Sequence, residues 1–236
     1  MHVFYAPEFP GNRELPEEES KHAIRVLRLS PGDPVMVSDG RGNLYRAEIG
    51  EIGKKSCRLL AEQLLDPVPA TRASLHIAMA PPKNMKRFEW FLEKACEIGV
   101  DEITPLITER SERRKINRER AEKVLIGAMK QSVKSRLPLL HETRRLDEWL
   151  DDLPEDGKLR FIAHLSKEAL PLAKCYRAGA AASILIGPEG DFSENERAKA
   201  AGKAFVQISL GPHRLRTETA GLVACTTIQV INEMHP

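Results

Sequence analysis

Aromatic side chains are scarce in this 236-residue sequence, at 5%, which argues against a platform on which several nucleic-acid bases would stack. Cysteine is scarcer still. Cys57, Cys96, Cys175 and Cys225 stand far apart with no Cys-x-x-Cys pair, so reduced, buried thiols are expected and a disulfide framework is not. The seven histidines include no His-x-x-x-His or His-Glu-x-x-His spacing, and no metal site is expected. No apolar run reaches the roughly 18 residues that a membrane span needs. The opening Met1-His2-Val3-Phe4-Tyr5-Ala6-Pro7 lacks the basic and apolar blocks of a signal peptide, so the expectation is a cytoplasmic protein with no membrane partner. Gly-x-Gly-x-x-Gly after a strand and Gly-x4-Gly-Lys-Ser/Thr are both missing, which removes the common dinucleotide crevice and the P-loop.

What is present is balanced. Lys and Arg number 36 against 34 Asp and Glu, and 42% of residues are hydrophobic, enough for a buried core and against a disordered tail protein. The length suits one or two domains at roughly 100 to 200 residues each, and two are expected. Asp66-Pro67-Val68-Pro69-Ala70-Thr71 reads as the linker, because two prolines in three residues favour an extended connection. Upstream, turn signals crowd around short apolar segments such as Val35–Ser38 and Leu44–Ile49, with Asp39-Gly40 and Gly42-Asn43 placed to close a hairpin. Residues 1–68 are therefore expected to form a small β-barrel with one helix over Glu17 to Leu29. Small barrels often bind RNA, although a folded spacer or dimer arm would share the pattern.

Charge is distributed unevenly. Residues 1–70 hold 9 Lys and Arg against 11 Asp and Glu, whereas Glu109 to Arg136 holds ten basic residues against four acidic ones. A concentrated positive field fits a phosphate backbone. The competing reading is the solvated face of a helix carrying i,i+4 pairs such as Glu119 with Lys123.

From Leu75 onward apolar strands alternate with longer helices. Strands are predicted at Leu75–Ala80, Ile103–Ile107, Leu159–His164, Ser183–Ile186 and Ala204–Ser209. Phe88, Phe91, Leu92 and Ala95 predict one helix, Ala121, Val124, Leu125, Ala128 and Ser132 another after Asn117, and Ser193 with Glu196 a capping box on a third. A long last helix carries Ala220, Val223, Ala224, Thr227, Ile228 and Ile231. Such alternation predicts an α/β domain over 72–236 with a mostly parallel sheet. In such a sheet ligands bind beyond the carboxyl ends of the strands. Two loops there stand out, Gly187-Pro188-Glu189-Gly190-Asp191-Phe192-Ser193 and Leu210-Gly211-Pro212-His213-Arg214-Leu215-Arg216-Thr217-Glu218-Thr219-Ala220. Each alone reads as ordinary turn chemistry; both on adjacent strand ends would make a site for a flat heterocycle.

Ile186-Gly187-Pro188-Glu189-Gly190 with Leu210-Gly211-Pro212 and Leu215-Arg216-Thr217-Glu218-Thr219 closely resembles the knotted SPOUT methyltransferases. Glu93-Lys94-Ala95-Cys96-Glu97-Ile98-Gly99-Val100, Thr104-Pro105-Leu106, Glu109-Arg110 and His22-Ala23-Ile24-Arg25-Val26-Leu27-Arg28 narrow the resemblance to the RsmE family, which methylates N3 of a uridine in 16S ribosomal RNA. The resemblance implies an amino-terminal PUA-like barrel, a sheet whose chain is tied in a trefoil knot within roughly 160–236, S-adenosylmethionine as methyl donor and a homodimer. Its partner is 16S ribosomal RNA in the small ribosomal subunit, and not DNA. The family commonly has glycine where Asp191 stands and arginine where His213 stands, and Lys130-Gln131-Ser132-Val133-Lys134-Ser135-Arg136 departs from its usual run. Asp191 is read as a tolerated variation near the start of a helix, and Lys134 as a residue that lacks the planar fork for a bidentate phosphate contact.

By this resemblance the cofactor pocket consists of Leu165, Ile186, Gly187, Glu189, Gly190, Leu210, Gly211 and Leu215. Uridine N3 carries a proton at neutral pH, so transfer requires that proton to leave and the resulting charge to be stabilised. Arg216 is nominated first for that charge, then Arg110 or Arg136; Glu218 and Glu97 are candidate proton acceptors. Arg216 with Glu218 could equally be a structural pair, and Glu97 a partner of Lys94. RNA would be held by Arg25, Arg28, Arg110, Arg113, Arg114, Lys134 and Arg136. The Ala220, Ala224, Thr227 and Ile228 stripe offers a dimer face or ordinary core. Two alternatives stay open: a relative acting on transfer RNA or another base, and a non-catalytic RNA-binding assembly factor in which Asp191 and His213 have cost the chain its cofactor.

Overall fold

The computed structural model describes residues 1–65, 73–166 and 168–235. The linker expected at 66–71 lies outside the described residues. The chain divides into two compact units, Met1–Ala70 with Ile126–Leu137, and Thr71–Leu125 with Pro138–Pro236.

In the first unit, β1 (Val3–Tyr5), β2 (Pro34–Ser38), β3 (Leu44–Ile52) and β4 (Cys57–Leu64) form a four-stranded sheet in sequence order. β1 runs parallel to β2, and the other neighbours are antiparallel. Strand β4 was not singled out in the sequence, and where a small barrel was expected the described strands form this sheet. The β2–β3 hairpin closes as the turn chemistry predicts. Asp39 Oδ1 accepts the backbone N–H of Arg41 at 2.7 Å and of Asn43 at 3.1 Å, while Gly40 and Gly42 take φ of 73° and 116°, a region that glycine enters without steric cost. The helix expected over 17–29 is shorter and of two kinds: α1 (Glu17–Lys21) runs into a π-helical turn, His22–Val26. Arg28 at φ 54° then turns the chain out of the helix. Phe4, Phe9, Leu15, Val35, Val37, Ile49 and Leu59 are buried together as the core of this unit.

Residues 126–137 pack within the same unit, a difference from the sequence reading, which put all of 72–236 in one domain. Ser38 Oγ donates to the Ser135 carbonyl at 3.2 Å, the Leu137 N–H to the Gly40 carbonyl at 2.9 Å, and Lys130 Nζ to Glu19 Oε1 at 2.6 Å. These partners are some 90 to 110 residues apart in sequence, so no local composition shift marks them.

The second unit holds an eight-stranded sheet whose recorded pairings are all parallel, as alternation predicts. Its main strands are β5 (Leu75–Met79), β6 (Glu102–Ile107), β9 (Leu159–Ala163), β11 (Ala182–Ile186) and β12 (Val206–Ser209). The two-residue strands β7 (Leu139–Leu140), β8 (Arg144–Arg145) and β10 (Leu170–Pro171) escape a pattern reading because they are too short to show a period. Order across the sheet is β10-β12-β9-β11-β5-β6-β7, with β8 also on β6. One face is covered by α4 (Leu146–Asp151) and α6 (Glu194–Gly202), whose core joins Trp149, Leu150 and Ala200 to Ala78, Ile162, Leu185 and Phe192. The predicted capping box is present: the Glu196 N–H donates to Ser193 Oγ, and the Ser193 N–H donates to Glu196 Oε2 at 2.9 Å.

Also in this unit are α2 (Met85–Ile98), α5 (Leu172–Cys175) and α7 (Thr217–Met234). In α2, Phe88, Phe91, Leu92 and Ala95 are buried and Gly99 ends the helix at φ 118°. α7 packs on α2 so closely that a Cβ on Gly221 would stand 2.6 Å from the Phe91 ring. Helix α3 (Arg118–Gln131) spans residues of both units, with Asn117 Oδ1 accepting the Arg120 N–H at its start. Among the described residues no helix is long and apolar enough to cross a membrane.

Candidate functional site

The carboxyl ends of β9, β11 and β12 open into a cleft of about 610 Å3. β11 and β12 are not neighbours, as the sequence reading had them. β9 lies between them, and its own exit, His164-Leu165, supplies the third wall. All eight residues nominated for a cofactor line this cleft: Leu165, Ile186, Gly187, Glu189, Gly190, Leu210, Gly211 and Leu215. Two features of this lining suit an adenosine-sized molecule. Leu165 leaves 57% of its surface uncovered at the rim, an apolar area that a flat ring would cover. Gly211, at φ 128°, has nothing within 4 Å of where a Cβ would stand, so its backbone is approachable.

The loops are held mainly by side chains that bond their backbone. Arg110 Nη1 donates to the Gly190 carbonyl at 2.8 Å and Arg214 Nη2 to the Glu189 carbonyl at 3.0 Å. Thr217 Oγ1, at the start of α7, donates to the Gly187 carbonyl at 3.1 Å, and Ser209 Oγ accepts the Gly211 N–H at 3.2 Å. Glu189 Oε1 accepts the Lys83 N–H at 3.1 Å. A Cβ on Gly187 would press on the Phe192 ring at 3.1 Å, which ties that glycine to the core behind it.

Asp191 is not a helix cap. Its φ of 61° is left-handed, the conformation that explains why glycine suits this place. Its Oδ1 accepts the Phe192 N–H at 2.7 Å, and its Oδ2 stands 2.6 Å from His164 Nδ1. A local amide bond helps aspartate tolerate this region, and the histidine ties the exit of β9 to that of β11.

Of the catalytic nominees, Arg216 lines the cleft as the residue preceding α7; it is exposed and makes no side-chain capping bond. Arg110 is exposed and spends one guanidinium bond on Gly190. Glu218 is buried and lies outside the lining; its ion-pair partner is Arg87, with Nε 3.7 Å from Oε1, and not Arg216. Arg87 does line the cleft. Sequence reasoning missed Arg87, His164, Arg214 and Thr217. Only Arg214 and Thr217 had a signal, since they stand inside the second Gly-Pro loop. Glu97 bonds Lys94 Nζ at 2.8 Å, the structural pair anticipated for it.

The basic segment separates. Arg110, Arg113 and Arg114 are exposed in the second unit, while Lys134 and Arg136, like Arg25 and Arg28, belong to the first. Much of its charge is paired: Arg118 with Glu122 and Glu142, Arg120 with Glu89, Lys123 with Glu119, and Lys130 with Glu19. Hydrogen bonding to Arg120 holds the Glu89 carboxyl below the usual carboxylate range. The solvated-helix reading thus holds for α3, and the field left over is smaller than the count implied. On α7, Ala224 and Ile228 are buried in this chain, whereas Ala220 and Thr227 are half-buried.

Residues 69–229 match the family described as RNA methyltransferase domain, and 15–62 match the RNA methyltransferase PUA domain. A ribosomal RNA small subunit methyltransferase E of Synechocystis is 32% identical over 89% of this chain and 70% of its own length. The crystal structure of a probable rRNA-methyltransferase from Porphyromonas gingivalis superposes with a TM-score of 0.91, at 39% identity and over 100% of both chains. Ribosomal RNA small subunit methyltransferase E of Neisseria gonorrhoeae, solved with S-adenosylmethionine bound, has a TM-score of 0.85 at 28% identity, over 98% of this chain and 97% of that one. On its sequence, its parallel sheet and its PUA unit, the chain belongs to the RNA methyltransferase family that contains ribosomal RNA small subunit methyltransferase E.

Proposed function

We propose that this chain transfers a methyl group from S-adenosylmethionine to N3 of a uridine in 16S ribosomal RNA of the small ribosomal subunit. The observation that carries the reading is the convergence of three strand exits on one cleft that gathers all eight nominated residues. The bound cofactor supplies a methyl on a sulfonium centre, activated for in-line displacement. Everything else falls to the protein. Leu165, Ile186, Leu210 and Leu215 would hold the adenine, the glycine-bearing backbone the ribose and methionine parts, and fixed loops would position the reacting groups.

Arg216 stabilises the charge that spreads over the uracil carbonyls as N3 loses its proton, since it lines the cleft, is exposed, and makes no side-chain capping bond on α7 among the described residues. Arg110 acts mainly through the Gly190 carbonyl, which makes it a positioning residue. Glu218 orients Arg87 and takes the proton only if that pair opens. Residues 1–68, joined by 126–137, would form the RNA-binding unit and the rest of 72–236 the methyltransferase unit, with Arg25, Arg28, Arg113, Arg114, Lys134 and Arg136 on phosphates. The reading includes the trefoil crossing within 160–236 and a homodimer, for which the half-covered Ala220 and Thr227 of α7 would offer a face. Cytoplasmic location follows from the substrate.

Incubation with radiolabelled S-adenosylmethionine and unmodified small subunits, followed by digestion to nucleosides, tests the reading. Label in N3-methyluridine is the expected result. Label in another nucleoside overturns the substrate, and absence of both label and cofactor binding overturns the reaction.

A further inference from the structure

The large sheet has a second polar cavity, of about 270 Å3, lined in part by His76, Glu102, Thr104, His141, Lys158 and Ser183. It lies at the amino ends of the strands, whereas the cleft lies at their carboxyl ends. His76 and Ser183 are the second residues of β5 and β11, Glu102 is the first of β6, and His141 follows β7 directly. Register explains the gathering. Ser183 pairs with His76, and His76 with Glu102, so three polar side chains stand abreast on one face, two residues below the apolar row of Leu185 and Ala78. Polar members of such a row on β5 and β11, strands buried along their whole length, are costly unless they are satisfied.

They are satisfied only in part. His141 Nε2 lies 2.9 Å from Glu102 Oε2, and His76 Nε2 lies 2.8 Å from Thr104 Oγ1. Ser183 is 3% exposed, lines the cavity, and its Oγ has no hydrogen-bond partner among the described residues. One ligand atom from each of His76, Glu102 and His141 lies within 4.8 Å of the other two. Burial pushes His76 down to about 4, and the hydrogen bond with His141, chief among several contacts, holds Glu102 down to about 2.

We propose that His76, Glu102 and His141 form a binding site for a divalent first-row transition metal, zinc being the best match, with Ser183 beside the open coordination position. Two imidazoles and one carboxylate form a donor set that zinc uses, whereas calcium and magnesium prefer oxygen alone. Zinc–ligand bonds of about 2.0 to 2.2 Å draw ligand atoms to roughly 3.4 Å apart, so the half-buried His141 moves inward. Lys158 is the competing cation. Its Nζ is 3.2 Å from Glu102 Oε1 and 3.6 Å from Asp156 Oδ2, so it shifts wholly to Asp156 when the metal takes Glu102. The metal then joins β5, β6 and the end of β7, remote from the methyl-transfer cleft.

The test titrates the full chain, freed of metal by chelation, with cobalt(II) and then zinc(II). One cobalt per chain should bind, with the visible bands of a four- or five-coordinate ion, and zinc should displace it. His141→Ala and Glu102→Gln, both at half-buried positions, should each weaken binding by at least about tenfold while circular dichroism stays native. The proposal is overturned if the folded wild-type chain shows no saturable binding below about 1 mM, if both variants keep it, or if Cys175→Ser abolishes it.

Discussion

At the carboxyl ends of β9, β11 and β12 the cleft is walled by loops whose working surface is largely backbone, fixed by Gly187, Gly190 and Gly211 and by bonds onto their carbonyls. At the amino ends of β5, β6 and β11 the polar atoms belong to side chains standing on the strands, aligned by register. The difference teaches where each kind of site keeps its precision. Loop backbone can grip a large, many-featured molecule but depends on allowed φ and on close packing behind it. Side chains on neighbouring parallel strands have fixed spacing, which suits a small ion and tolerates little else.

That contrast can be broken at either end. The largest expected effect is at the cleft: Arg216→Ala should lower the single-turnover rate by about 10²- to 10³-fold and change cofactor affinity by less than about threefold. A loss confined to affinity would place Arg216 on the cofactor instead of the uracil. Next is Gly211→Ala, where a side chain must adopt φ near 128°. Strain on the order of 1–3 kcal/mol predicts cofactor binding weaker by about tenfold or more in calorimetry, and unchanged affinity would show that the loop is free to relax.

Smaller effects sharpen the independence of the two ends. Strands of five residues put them about 15 Å apart, so His141→Ala should leave the methyl-transfer rate within about twofold of wild type. A larger loss would mean that the ends are coupled through the sheet. The smallest change is expected in thiol chemistry. Burial pushes Cys225, in α7, up to about 12 and raises Cys57, whereas Cys175 is half-buried. A disulfide reagent at pH 8 should therefore modify Cys175 well before the others, in wild type and in all three variants. Early modification of Cys225 in any of them would reveal a damaged fold instead of a local lesion.

The carboxyl-end site was legible because it is written in contiguous loops. Gly187 to Ser193 and Leu210 to Ala220 announce their turns by residue type, and strands with a clear period place those turns at one edge. What escaped depends on distance along the chain. His164 meets Asp191 across 27 residues and Arg87 meets Glu218 across more than a hundred, each pair without a spacing that marks it. The same reason hid the amino-end cluster: a search for two histidines a helical turn apart cannot find His76 and His141, which only the register of β5, β6 and β7 brings together. The basic segment erred in the other direction. Charge could be counted, but the carboxylates that neutralise it, such as Glu89 and Glu19, lie in other elements.

Helix α3 begins in one compact unit and ends in the other, which bears on how such a protein can be taken apart or reassembled. A chain cut at the proline-rich stretch would not be cut at its seam: the excised head would lack 126–137, and the remaining body would carry that segment with the carbonyls and amides that Ser38, Gly40 and Gly42 normally answer left open. The amino-terminal sheet is in that sense not an interchangeable cartridge. Recombination that grafts it onto another catalytic body must carry two pieces of chain from opposite sides of the junction, so a functional swap calls for a paired exchange of 1–70 and 126–137 rather than a single crossover.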